Sequence, residues 1–339
     1  KVHRLALQIS DDSPQKMNTV LNVAANISRY YSAKGEEIEI EVIAFNKGLH
    51  MLRTDTSPVK KRIDNFAKKN QLIHVDQHHP KNSWAVTVPG SPARDIQLVG
   101  KGRVLISVPS GCQEHDLKTG KKLWEIKGYR GVNSARRLPD GKTLIGANAK
   151  EGITIYTVDR AGKELSRQVV YPETGSLRVF RLTKEGNFLF TVGKPRSAIE
   201  ITPQGKIVWK VSLEPFSGKG YKVLKTAEGH YLASTGDGVK VIEFAADGTM
   251  VRYWGDKKKG VHPDWRLDFF SGFDIMPSGN VAAANWLGHG KHGTGPHVVE
   301  FNAENELVWQ WEDHKLARQV TNVLMLDGRE KEIETGCFP

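Results

Sequence analysis

Cysteine is nearly absent from this 339-residue chain, which holds only Cys112 and Cys337. Their separation excludes the Cys-x-x-Cys spacing of zinc and thioredoxin-type redox sites, and no Cys-x-x-Cys-His exists to attach a c-type haem covalently. Two free thiols are expected, or one long-range disulfide if the compartment is oxidising. No run of about eighteen apolar residues occurs, so no membrane-spanning helix is expected. The first residues also lack the charged and then apolar pattern of a secretory signal. Gly-x-Ser-x-Gly is missing, and with it the nucleophile elbow. Aromatic and basic residues do not interleave into a stacking platform, so nucleic acid is not an expected partner.

What the chain does have is positive charge. Lys and Arg number 49 against 38 Asp and Glu, for a net charge of +11. Such a surface concentrates anions without choosing among them. Only Lys257–Lys259 is locally dense, and it reads as a solvated loop. The chain begins at Lys1 instead of Met, which suits a processed secretory protein or a chain whose start lies upstream.

Residues 1–76 alternate between strand and helix patterns. Leu5–Ile9 is a short apolar run, followed by Ser10-Asp11-Asp12-Ser13 as N-cap acceptors and by Pro14, which suits a first helical turn. Met17, Val20, Leu21, Ala24 and Ile27 then recur at spacings of three and four, predicting a helix that Gly35 stops. Ile38–Phe45 reads as a second strand, Pro58–Lys69 as a basic amphipathic helix and Gln71–Val75 as a third strand. The strand–helix–strand order implies parallel pairing.

In the segments "LALQISDDSPQKMNTVLNVAANI" and "IEIEVIAFNKGLHML", residues 3–75 resemble the DsrE-like sulfur-relay family. The resemblance implies an α/β domain and sulfur transfer through a cysteine after the third strand. Here that position reads Gln77-His78-His79-Pro80, so the thiol is missing.

From Trp84 the pattern changes to short strands broken by glycine turns. "LVGKGRVLIS", "LPDGKTLIGA", "LTKEGNFLFTV", "TAEGHYLAST" and "MPSGNVAAAN" share one plan. Each is followed by a second hairpin, with turn glycines at Gly120, Gly162, Gly205 and Gly248 that recur every 42 or 43 residues. A repeat of that length with two hairpins is the signature of a propeller blade. Trp124, Trp209 and Trp309, four residues after equivalent turn positions, are expected between blades, and Asn305 takes the glycine's place in the fifth repeat. With "VTNVLMLD" (320–327) as an inner strand and "SWAVTVP" (83–89) as an outer one, the expectation is a mainly β protein with a six-bladed β-propeller, or alternatively seven blades. Its boundaries are an α/β domain at 1–76, a linker at 77–83, the propeller at 84–327 and a tail at 328–339. The repeats resemble quinoprotein-like propellers and, in "RLPDGKTLI" and "VVEFNAENELVWQW", arylsulfotransferase-like ones. The quinone enzymes' calcium site and catalytic aspartate, and the sulfotransferases' histidine, find no match.

Two constellations carry candidate chemistry. Arg94, Arg136, Arg137, Arg178, Arg181, Lys222 and Lys225 precede the first turn of successive repeats, so some should converge near the axis and bind carboxylate, sulfate or phosphate. Alternatively, half of them point between blades and pair with Asp95, Asp274 or turn carboxylates. His289, His292 and His297 lie in a glycine-rich insertion that widens the interval from Gly248 to Asn305 to 57 residues. They either bind a metal ion at the channel mouth or are incidental to an exposed loop.

The expected function is that of an extracytoplasmic, periplasmic or secreted, binding or scaffold module for a protein partner or an anionic ligand, with the N-terminal domain as a route to oligomers. The alternatives are an enzyme acting on an anionic small molecule in the axial channel, or a sulfur-relay accessory. Because residues 1–80 contain no cysteine, treatment with a sulfur donor followed by mass analysis is expected to add no sulfur there.

Overall fold

The computed structural model describes residues 2–33, 37–60, 62–63, 70–88, 94–172, 177–216, 218–256 and 263–337. The expected runs Lys257–Lys259 and most of Pro58–Lys69 lie outside them. Strand β1 (Val2–Ile9) pairs in parallel with β2 (Glu37–Ala44), and helix α1 (Pro14–Ala33) crosses between them. The apolar stripe forms as its spacing predicts. Met17 and Leu21 are buried with Ile9, Met51 and Val59 in one cluster.

The third strand departs from expectation. β3 (Asn70–His74) joins no parallel sheet; it pairs antiparallel with β4 (Trp84–Val88), from Asn70 opposite Val88 to His74 opposite Trp84. Asp76 braces the connecting loop, accepting from His79 N at 2.8 Å and Asn82 Nδ2 at 3.0 Å.

Five four-stranded antiparallel sheets follow, each a simple meander. Blade 1 is β5–β8 (Ile96–Gly100, Arg103–Val108, Gly111–Asp116, Lys122–Ile126), and blade 2 is β9–β12 (Val132–Arg137, Thr143–Ala149, Gly152–Val158, Glu164–Tyr171). Blade 3 is β13–β16 (Phe180–Leu182, Phe188–Gly193, Arg196–Ile201, Ile207–Ser212). Blade 4 is β17–β20 (Val223–Lys225, Tyr231–Ser234, Val241–Phe244, Met250–Trp254), and blade 5 is β21–β24 (Phe270–Ile275, Val281–Asn285, Val298–Phe301, Leu307–Trp311). Helix α2 (Glu330–Thr335) follows the last blade. Between residues 84 and 327 the described helical turns, Glu214–Phe216 and Pro263–Trp265, are three residues long. The outer-hairpin turns use positive φ as expected, from +70° at Gly120 to +87° at Gly248, with Asn305 at +62°.

The blade count is therefore five, not six or seven. Residues 320–327 do reach the place between blades 5 and 1, but they join no sheet: Thr321 accepts from Gly272 N at 3.0 Å, and Asn322 Nδ2 donates to Arg94 O at 2.8 Å. The 84–88 segment finds its partner in β3 instead. A strand pattern shows that a segment can pair, whereas the partner is set by non-local packing.

Successive blades are joined by buried clusters. Ile145 and Val158 meet Leu105 and Cys112 between blades 1 and 2, and Phe180 and Phe190 meet Ile153 and Ile155 between blades 2 and 3. Val223 and Phe244 meet Leu189 and Ala198 between blades 3 and 4, and Phe270 and Phe301 meet Leu232 and Val241 between blades 4 and 5. Two of the three expected tryptophans sit between blades. Trp209 stacks on Tyr231 of the next blade at 3.7 Å, and Trp124 lies under the guanidiniums of Arg137 and Arg160 at 4.4 and 4.6 Å. Trp309 faces no sixth blade, and its Nε1 donates to Gln77 Oε1 at 3.0 Å.

Gly272 admits the closing segment. A Cβ there would collide with the Asn322 side chain and come within 2.7 Å of its Cα. Gly272→Val is expected to cost about 1–3 kcal/mol through overpacking, read as a lowered urea midpoint with an unchanged slope.

Candidate functional site

The inner strands all begin at one end of the propeller, and side chains on or just before these strands meet on the axis. Each blade contributes one charged residue: Asp95, Arg136, Arg181, Lys222 and Asp274, all buried. Asp95 is the hub. Arg181 donates to it at 3.0 and 3.2 Å, Arg136 Nη1 lies 4.0 Å away, and Ser134 Oγ also donates to it. Asp274 is held from the tail side by Arg329 Nη2 at 3.2 Å and accepts from Met325 N at 3.0 Å. Lys222 Nζ donates to the carbonyl of Phe273.

Burial governs the titration of this ring. It pushes Lys222 down to about 7, helped by the Arg181 charge and opposed by Asp274 and Asp95. Burial and then Arg181 also lower Arg136, to about 10, and burial raises Asp274. Three cations thus face two ring carboxylates, with Arg329 reaching Asp274 from the tail.

Arg137 and Lys225, also expected on the axis, lie between blades instead. Arg137 Nη2 pairs with buried Glu114 at 2.6 Å, a carboxylate that Arg160 also engages. Lys225 Nζ pairs with Glu200 at 3.2 Å and Glu185 at 3.4 Å, and Tyr231 donates to Glu200 at 2.6 Å. Neighbouring residues on a strand point to opposite faces, so Arg136 and Arg137 cannot share a role. Arg137 and Lys225 thus pair across blades, with carboxylates of blades 1 and 3.

Arg94 and Arg178 form a second group one step nearer the start of the inner strands. Among the described residues neither forms an ion pair with a carboxylate. Burial pushes Arg178 down, and the charge of Arg94 pushes it further. Tyr221, missed in the sequence because it looks like any blade aromatic, belongs to the same group; burial raises its hydroxyl, while the charges of Arg94 and Arg178 oppose that rise. Arg94 Nε is buried with no hydrogen-bond partner among the described residues.

The histidine insertion opens at this same end, because β22 returns toward it before β23 begins. The three imidazoles go to separate places. His289 Nδ1 is 3.6 Å from Asp268 and 3.8 Å from Asp237, with its ring edge-on to Trp286. His292 Nδ1 is 3.3 Å from the Arg318 carbonyl, and His297 is buried beside Trp311 and His314. Burial and then His314 lower His297. The described residues contain no group of three or more metal-ligating side chains, so the expected convergence on one ion is not found. Trp286, lying across Gly288 and against Phe269, supplies the packing that orders the loop.

The thiols are also separate. Cys112 is buried and pushed up to about 12 by desolvation, and both cysteines are free. No helix is long and apolar enough to cross a membrane among the described residues.

No protein-family model and no curated protein matches the chain. Solved structures do. A protein of unknown function from Bacteroides caccae is 22% identical, with 76% of this chain and 94% of that one covered at a TM-score of 0.62. A streptogramin B lyase structure is 14% identical, covering 74% and 79% at a TM-score of 0.50. A calcium-binding protein, regucalcin, from Agrobacterium tumefaciens is 15% identical, covering 63% and 74% at a TM-score of 0.48. At these identities the first two similarities establish the β-propeller fold and nothing about activity.

The ring carries a pH prediction. With Lys222 near 7 folded and about 10.4 unfolded, the unfolded chain binds more protons between those values, so stability rises with pH across that window. The thermal midpoint is expected to climb between pH 7 and 9, and Lys222→Met should flatten that climb.

Proposed function

We propose that the protein is a binding propeller whose axial mouth holds a small anion, with carboxylate, sulfate or phosphate as the recognised group. One observation carries this reading: Arg94 Nε is buried without a hydrogen-bond partner, and no carboxylate pairs with Arg94 or Arg178, among the described residues, while the charge of Arg94 acts on both Arg178 and Tyr221. Like charges at partial burial are costly unless a counter-charge joins them. The inner ring cannot supply one, because Asp95 is already shared by Arg181, Arg136 and Ser134. An oxyanion bridging the two guanidiniums, with the Tyr221 hydroxyl donating to it, offsets the repulsion. Guanidinium forks suit planar carboxylates and tetrahedral anions alike.

The net charge of +11 supports the reading by raising the local anion concentration. An enzyme acting on such an anion is the runner-up, with His289 beside Asp268 at the same end of the propeller as its nearest candidate acid–base pair. The sulfur-relay reading has no thiol to work with before Cys112. A periplasmic or secreted location and assembly through the N-terminal domain belong to the same proposal, and both rest on the sequence alone.

Calorimetric titration with sulfate, phosphate and short dicarboxylates is expected to show one site that weakens as salt rises. Losing a charged hydrogen-bond donor costs about 1.5–3 kcal/mol, so Arg94→Ala or Arg178→Ala should weaken binding about 10- to 100-fold. Tyr221→Phe should weaken it less. Unchanged affinity in the Arg94→Ala, Arg178→Ala double variant would refute the proposal.

A further inference from the structure

The space between blade 5 and blade 1 is unevenly filled. Four buried clusters join the five blades in series, but the remaining junction has no equivalent among the described residues. On its blade 1 side, Val88 and Leu72 of the β3–β4 hairpin cover Ile106 and Val108. An open cleft of about 2310 Å³ occupies this sector: Val298, Glu300, Trp309 and Trp311 line it on the blade 5 side and Leu324 on the closing segment, and it extends to Arg94 at its inner end and to Ile38 of β2. Small-molecule pockets run to about 300–1,000 Å³, so this space is more than twice too large for a ligand of that class.

Its rims carry backbone groups without sheet partners. Among the described residues β4 pairs along one edge only, with β3. In the closing segment, Val323 N and Met325 N donate to side chains, those of Asn322 and Asp274. Thr321 and Leu326 accept from Gly272 and Arg329 through their carbonyls, while Leu324 makes no backbone hydrogen bond among the described residues. Every complete blade has four strands; this sector has an inner segment outside any sheet and an outer pair.

We propose that the cleft receives an extended polypeptide segment of a partner protein, which adds backbone hydrogen bonds to these rims and completes a sixth blade. An extended strand meets both demands of the site at once. Its N–H and C=O groups satisfy an open edge, and its alternate side chains reach Trp309 and Val298 on one wall while the others face the β3–β4 hairpin. A lipid or small anion would fill volume without pairing the backbone. The occupant's chemistry is therefore a proline-free segment with alternating apolar residues. The cleft reaches Arg94 at its inner end, whereas Arg178 and Tyr221 of the axial site do not line it, so the exchange footprint separates the two sites.

The test uses the full chain and a displayed library of random dodecapeptides. Enriched peptides should lack proline and alternate apolar with polar residues. On binding, hydrogen exchange should slow at residues 84–88 and 322–326. Methylating alternate backbone nitrogens of an enriched peptide should weaken binding at least tenfold, as should Leu324→Pro. If Leu324→Pro fails to fold, the exchange footprint and the N-methyl comparison decide the matter alone. The proposal is overturned if no peptide is enriched, if the footprint falls on the axial mouth, or if N-methylation leaves affinity unchanged. It is equally overturned if the free protein already protects the Leu324 amide, or if a concentration-dependent dimer protects it, because the chain itself or a second copy would then be the occupant.

Discussion

Everything on the axis depends on Asp95. It is the blade 1 carboxylate toward which blades 2 and 3 turn polar side chains, with Ser134 and Arg181 donating to it and Arg136 close by. A buried ion pair adds little net stability because desolvation consumes most of its Coulombic gain, yet removing one partner typically costs about 3–5 kcal/mol by stranding the other. Without Asp95, three buried cations would share Asp274 alone. The ring is better understood as fixing the mutual placement of the blades than as adhesive. The adhesive is the chain of apolar clusters between neighbouring sheets, which supplies non-directional burial and leaves rotation about the axis loosely defined.

The same logic recurs further out. Glu114 and Glu200 occupy equivalent places on the third strands of blades 1 and 3, each opposite a tryptophan and each met by cations or a hydroxyl from the following blade. Glu243 in blade 4 instead pairs within its own sheet, with His230 at 2.7 Å and Arg252 at 2.6 Å. Glu300 accepts from Asn280 at 2.6 Å in blade 5, and past it the cleft begins. Blade 5 therefore presents the surface that elsewhere meets a next blade, but it has none to meet.

The turn chemistry made the blades legible: positive-φ glycines every 42 or 43 residues leave room for four strands and little else. The count failed at the two ends of the ring, where local pattern is the same for a strand in a sheet and a segment that merely lies beside one. Val323-Leu324-Met325-Leu326 and Trp84–Val88 are apolar enough for either. The candidate site was half legible for a related reason. Inner strands are buried on both faces, so no polar and apolar alternation marks which of Arg136 and Arg137 turns to the axis. Tyr221 and the reach of Arg329 back to Asp274 had no sequence signal, since one resembles a core aromatic and the other lies 55 residues from its partner. The histidines misled because glycine-rich spacing permits convergence without requiring it, and Trp286 ordered the loop by packing.

The ring and the mouth also act on each other through the chain. Arg94 and Tyr221 immediately precede Asp95 and Lys222, so fixing the ring fixes the backbone from which the mouth side chains project. The main-chain bonds agree: Asp95 N and Lys222 N each donate to the hydroxyl of a serine on the adjacent strand, Ser107 at 3.0 Å and Ser234 at 3.1 Å. Ordering a long cationic side chain on binding costs about 0.5–1.5 kcal/mol, and two arginines already half-buried have met part of that cost during folding. Their repulsion works in the same direction, because it raises the energy of the unliganded mouth and not that of one holding an anion. Under the proposed reading, a ring of paired charges beneath two guanidiniums without a carboxylate partner among the described residues keeps stability in one layer and binding capacity in the next.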